Sequence, residues 1–164
     1  MQILIGIAIA VPIIVLIPFI LKWTGGGPKG LGFGPGGLNP CAQSPNCICS
    51  EDDREAFHAK RIELNQPADP QALSQSLLRL PYTQLIQVVQ GPADDSQYGK
   101  IPEGKFLIHW EFRTPWIGYI DDVQIAGTLG ERTVQIRSAS RAGYSDLGVN
   151  RKRVEVIREH LRNQ

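Results

Sequence analysis

Phe106, Ile108, Trp110 and Phe112 fall on alternate positions, with His109, Glu111 and Arg113 between them. Side chains alternate faces along a strand, so this spacing predicts a half-buried β-strand with one apolar and one polar face. Leu85, Gln87 and Val89 alternate with Ile86 and Val88 until Gly91-Pro92 breaks the run, which predicts a strand over 84–90. Ile117–Ile125 and Arg132–Ser138 are two more, and the Gly-containing turn Ala126–Glu131 predicts that they pair as an antiparallel hairpin. With a symmetric turn Asp121 shares the face of Val123, Val134 and Ile136, whereas a slip of one residue brings Asp122 inward instead. Ala93–Gly104 shows no period and reads as a loop.

Helical spacing occurs twice. Asp69 is placed as an N-cap, Pro70 occupies the first helical position, Leu73, Leu77 and Leu80 recur on one face, and Pro81 stops the run, predicting a helix over 70–80. Val154, Ile157 and Leu161 stand in a charged background and predict an amphipathic terminal helix. The order is helix-strand-strand-strand-strand-helix with no crossover helix between strands. The expected fold class is therefore α+β: a two-layer domain with an antiparallel four-stranded sheet and both helices on one face.

The region ahead of this domain has a different character. Ile3–Leu21 holds 16 apolar residues in 19 and no charge, and as a helix it would span about 28 Å, close to the thickness of a hydrocarbon core. Only Met1 and Gln2 precede it, so it lacks the basic n-region of a cleaved signal and reads as a single transmembrane helix. Pro12 and Pro18 would kink that helix or seat it against a neighbour. Gly25–Gly37 contains eight of the seventeen glycines plus Pro28 and Pro35, the composition of a flexible tether. The expected organisation is an anchor over 1–23, a linker over 24–40 and a globular domain over 41–164.

Lys+Arg total 17 and Asp+Glu 16, a net charge of +1 in 164 residues, so no overall field draws the protein to nucleic acid. Cys41, Cys47 and Cys49 lie within nine positions. In an oxidising compartment Cys41 and Cys47 can close a small loop pinched by Pro45; in a reducing one all three are thiols. Lys22 and Lys29 after the span favour a cytoplasmic domain, but the cysteines, weighed more heavily, favour the periplasmic or lumenal side. No C-x-x-C pair is present and only His58 lies near, so no metal site is expected, and no cofactor motif occurs. Neither His109 nor His160 is placed to activate Cys49, and no catalytic residue is assigned.

Basicity is concentrated in Arg137–Arg162, where seven Arg or Lys face three acids, a local charge of +4. Ser145 or Asp146 can cap the last helix, whose free N–H groups would donate to a carboxylate or phosphate. Arg137, Arg141 and Arg151 would add forked donors, Ser138, Ser140 and Tyr144 hydroxyls, and Asn150 an amide, with Asp121 and Asp122 nearby on the hairpin. The plainer reading pairs Arg137 with Asp121 or Asp122, leaves Asp146 as a cap only, and makes Arg151–Arg153 a solvated face.

CAQSPNCICS, the Asp121-Asp122-Val123 strand and RSASRAGYSDLGVNRKRVE together resemble the family known as domain of unknown function 1499, over roughly residues 38–162. The resemblance implies a small envelope or plastid-type domain, often behind a signal or anchor. Its pattern falls on Cys41, Cys47, Asp121, Asp122, Arg137, Ser138, Ser140, Arg141, Gly143, Tyr144, Asp146, Gly148, Asn150, Arg151 and Arg153. Cys49 stands where the pattern has Ser, which counts against it as a nucleophile.

Three functions are weighed. The first is a membrane-anchored module binding a phosphate, carboxylate or lipid headgroup at the basic turn. The second is an accessory subunit docking on a membrane complex. The third is a hydrolase-type enzyme in which Asp121, Asp122, Tyr144 or Cys49 serves as acid, base or nucleophile.

Overall fold

The computed structural model describes residues 26–115 and 117–163. The expected transmembrane segment lies outside the described residues, among which no helix is long and apolar enough to cross a membrane. The chain forms β1 (Phe33–Gly34), β2 (Gly37–Leu38), β3 (Cys47–Cys49), β4 (Ile62–Glu63), α1 (Pro70–Leu77), β5 (Thr83–Gln90), β6 (Ala93–Asp95), β7 (Gly99–Ile101), β8 (Lys105–Arg113), β9 (Ile120–Thr128), β10 (Thr133–Ser140) and α2 (Val149–Arg162). The main sheet has six antiparallel strands in the order β3-β10-β9-β8-β5, with β4 also paired along the outer edge of β10. This corrects the expected four-stranded sheet. β3 and β4 are three and two residues long, too short to show a period, yet they complete the edge of β10.

The expected two-layer arrangement is corrected as well. One sheet face carries Phe106, Ile108, Trp110, Phe112, Val123, Ile125, Val134 and Ile136 and meets Leu73 and Leu77 of α1 and Val154, Ile157 and Leu161 of α2. The opposite face, expected to be polar, is also covered: Leu107, Val89, Ala126 and Ala139 pack under Leu31, Leu38, Tyr98 and Ile101. The cover comes from two hairpins, β1–β2 and β6–β7. The first lies within the stretch expected as a tether; there the Phe33 N–H bonds the Tyr98 carbonyl at 2.9 Å and the Asn39 side chain holds the Leu31 carbonyl at 2.8 Å. Gly32 (φ 93°) is required there, since a Cβ would stand 2.2 Å from the Tyr98 carbonyl oxygen.

The second hairpin lies in the stretch expected as a loop. Asp95 accepts from the N–H groups of Gln97 and Tyr98, turning the chain so that Tyr98 and Ile101 drop onto the sheet. The expected hairpin of β9 and β10 forms with shifted ends. Pro115 and a turn closed by Thr114 keep residues 114–115 and 117–119 out of the strand. β9 continues through Gly127, whose missing Cβ makes room for Phe106 and Val134.

Candidate functional site

The β9–β10 register pairs Ser140 with Asp121, Ser138 with Val123 and Arg137 with Gln124. Alternation then sends Asp121, Ser138 and Ser140 to the helix side of the sheet and Asp122, Gln124 and Arg137 to the side under the hairpins. The residues expected to form one anion site are thus divided between two networks.

On the helix side, Asn150 in the first turn of α2 is fully buried and is the hub. Its Oδ1 accepts from Ser138 at 2.6 Å and from Arg153 at 2.8 Å, and its Nδ2 donates to Ser140 and to the Asn46 carbonyl. Arg153 also pairs with buried Asp121 at 2.5 Å. Asp146 accepts from the backbone N–H groups of Gly148 at 3.1 Å and Asn150 at 2.6 Å, so an internal carboxylate already fills the helix start where an external anion was expected. Arg151 lies outside this network and holds the carbonyls of Ala56 and His58, while Tyr144 is 76% exposed.

On the other side runs a buried polar chain. The Tyr98 hydroxyl meets His109 Nδ1 at 2.8 Å, and His109 Nε2 meets Asp122 Oδ1 at 2.8 Å. Arg141 donates to both Asp122 oxygens at 2.7 and 2.9 Å and to Glu111 at 2.6 Å. Burial foremost, reinforced by the charges of Asp95 and Asp122, pushes the Tyr98 hydroxyl up to about 12. It therefore stays protonated, and His109 bridges it to Asp122 through its two ring nitrogens. Burial pushes the Asp122 carboxyl up, but hydrogen bonds from His109 and Arg141 and the Arg141 charge outweigh it, and its pKa lies below the ordinary value. The hydrogen bond to Asp122 in turn raises Arg141. Tyr98, His109 and Asp122 have the order of a proton relay, yet each is at most 3% exposed and Asp122 is saturated by its partners. The chain as built locks β8, β9, β10 and the β6–β7 hairpin together.

Beside it lies a different arrangement. Cross-strand register aligns Cys49, Arg137, Gln124, His109 and Gln87 in one row over five strands. Arg137 is 2% exposed and Gln124 fully buried. Arg137 Nη2 donates to the Lys29 carbonyl at 3.1 Å, but Nε, Nη1 and both ends of the Gln124 amide have no hydrogen-bond partner among the described residues. Arg137 forms no hydrogen bond or ion pair with Asp121 or Asp122, although the Asp122 charge acts on it. Gly30 roofs it so closely that a Cβ there would lie 3.0 Å from Nη2.

Cys41 and Cys47 form a disulfide, and Cys49 is a buried free thiol that burial pushes up to about 11. Among the described residues no cluster of His, Cys, Asp or Glu suits a metal ion.

Tyr98, His109, Glu111 and Gln124 were not singled out from the sequence. Alternation placed His109 and Glu111 on the second face of β8; only the two covering hairpins turn that face into an interior. A model of a family described as "Protein of unknown function (DUF1499)" matches residues 37–161. No curated protein and no solved structure matches the chain.

Proposed function

We propose a binding function for this chain, which belongs to the DUF1499 family of proteins of unknown function: a membrane-tethered domain that holds a small anionic group between the sheet and the glycine-rich strap of residues 29–38 that covers it. The observation that carries this reading is Arg137, a buried guanidinium with two nitrogens unpartnered beside an unpartnered Gln124 amide. Arg does not shed its proton in a protein, so its burial has to be offset by a counter-charge and acceptors. Burial here acts to lower the Arg137 pKa, which is the same penalty seen from the protonation side.

The carboxylates nearest in register are already committed, Asp122 to Arg141 and His109 and Asp121 to Arg153. A carboxylate or small oxyanion would give acceptors to Arg137 and to the Gln124 NH2 group together. The tether is supported by the uncharged stretch Ile3–Leu21, and an extracytoplasmic setting by the Cys41–Cys47 disulfide.

The test uses the full chain in detergent, dialysed free of phosphate and carboxylate buffers, with inorganic phosphate, sulfate and acetate added in a thermal-shift series. At least one anion is expected to stabilise the native protein, by about 2.7 kcal/mol at a hundredfold excess over Kd. Arg137→Met removes the charge while keeping an apolar side chain of similar length, and it should fold, show no response to anions, and match or exceed the stability of the anion-free native protein. An Arg137→Met protein that responds to anions as the native chain does would refute the assignment.

A further inference from the structure

At one end of the sheet two segments lie side by side: residues 114–115 and 117–119 between β8 and β9, and 141–148 between β10 and α2, joined where the Arg141 N–H bonds the Ile120 carbonyl at 3.1 Å. They and the start of α2 expose Ile117, Tyr144, Leu147 and Val149, four of the eight large apolar residues exposed on the described surface. Leu147 is 91% exposed and sits at φ 53°. The left-handed turn there lets Asp146 accept from the N–H groups of Gly148, Val149 and Asn150, and it leaves the Leu147 side chain facing outward. Beneath the loops a cavity of about 240 Å³ opens among Tyr119, Ala142, Leu147 and Val149, with Asp121 and Asp146 in its lining, each committed to an internal partner. Exposed Lys152 follows in the first turn of α2, beside Arg151, whose guanidinium is held by the Ala56 and His58 carbonyls.

We propose that this rim docks on the surface of an anionic lipid bilayer, with Leu147 and Tyr144 entering the headgroup region and Lys152 facing the lipid charge. The course of the chain supports that occupant. Traced backward, the strap passes from Leu38, bonded to Gln135, to Lys29, bonded to Arg137. It therefore runs toward the Ser140 end of β10, where the rim begins. Arg137 and Ser140 are about 10 Å apart along the strand. Between Lys29 and Leu21, where the uncharged apolar stretch ends, eight residues can span at most about 29 Å. If that stretch is seated in a bilayer, the heading of the strap turns the rim end of the domain toward it. Exposed aromatic and aliphatic side chains backed by Lys and Arg are the composition that binds such an interface.

This inference rests on the tether and is independent of the anion site. Full-length protein is reconstituted into phosphatidylcholine vesicles containing about a quarter phosphatidylglycerol, a charge level at which basic residues near the surface are attracted. Flotation reports the tether, and a nitroxide on Leu147→Cys, with Leu129→Cys in the β9–β10 turn at the other end of the sheet as control, reports the rim. The label at 147 should collide severalfold more often with oxygen than with a water-soluble nickel chelate, and the label at 129 should show the reverse. Leu147→Asp should leave flotation intact and abolish the lipid signature of a label on Ile117→Cys. Its exposure makes a folding defect from that change unexpected.

Protein that floats while position 147 collides as position 129 does would overturn the docking and leave the tether standing. Protein that does not float would overturn both. A label at 147 shielded from oxygen and chelate alike would mean a protein occupant, a partner or a second copy, and would overturn the lipid assignment.

Discussion

Arg141→Met is the most demanding test of the buried chain. In the native protein Arg141 donates three charge-assisted bonds, two to Asp122 and one to Glu111. Its removal leaves Glu111 with Arg113 at 2.8 Å, but leaves Asp122, 2% exposed, with His109 alone. Stripping one partner from a buried ion pair costs about 3–5 kcal/mol, and since Glu111 keeps a partner the lower end applies. For a domain of this size about 3 kcal/mol lowers Tm by about 10 °C.

The sign of the pH dependence follows from Asp122. In the native chain its pKa lies below the ordinary 3.8, so its stabilising contribution is complete above that value and is lost as pH falls through the lower, folded one. In the variant burial meets less opposition and raises that pKa, so the variant loses stability as pH rises through the raised value. The difference between the two proteins should be greatest near neutrality and shrink toward pH 4. Urea unfolding followed by far-UV circular dichroism across that range measures it. A difference below about 1 kcal/mol, or one that does not change with pH, would refute the chain as a coupled electrostatic unit.

Two further outcomes are expected. Replacing Cys41 and Cys47 by Ser removes a cross-link of sequence separation 6 and should lower unfolding stability by about 2 kcal/mol, read as an earlier urea midpoint. Cys49, fully buried and raised to about 11, should resist a thiol reagent at pH 8 in native protein and release one equivalent only on unfolding; prompt native labelling would contradict its burial.

The long elements were legible because each presents one face to a core long enough to show its period. Leu73 and Leu77 mark α1, Val154, Ile157 and Leu161 mark α2, and Phe106 to Phe112 mark β8. What escaped is built from pieces of two or three residues. β3 and β4 gain their place in the main sheet from β10, contributed by residues some 70 to 90 positions away. The candidate site was half legible. Asp122, Arg137 and Arg141 were named, but their separation from Ser138, Ser140 and Asn150 depends on which side of the sheet each residue faces, and both sides turned out to be interior. The signal for the second interior was present in Leu31, Phe33, Tyr98 and Ile101, apolar residues scattered through glycine-rich or polar stretches where spacing carries no period.

The strap also bears on where the folding unit starts. The matched family region begins at residue 37, inside β2, so a fragment cut at that border would keep every strand of the main sheet and both helices. It would lose Leu31 from the second interior, the Phe33 bond to Tyr98 and the Lys29 carbonyl that holds Arg137. Such a fragment would give the secondary-structure spectrum of the intact domain with the row from Cys49 to Gln87 opened to water. Its Arg137 would be hydrated rather than orphaned, and a negative ligand screen on it would report on the excision and not on the protein.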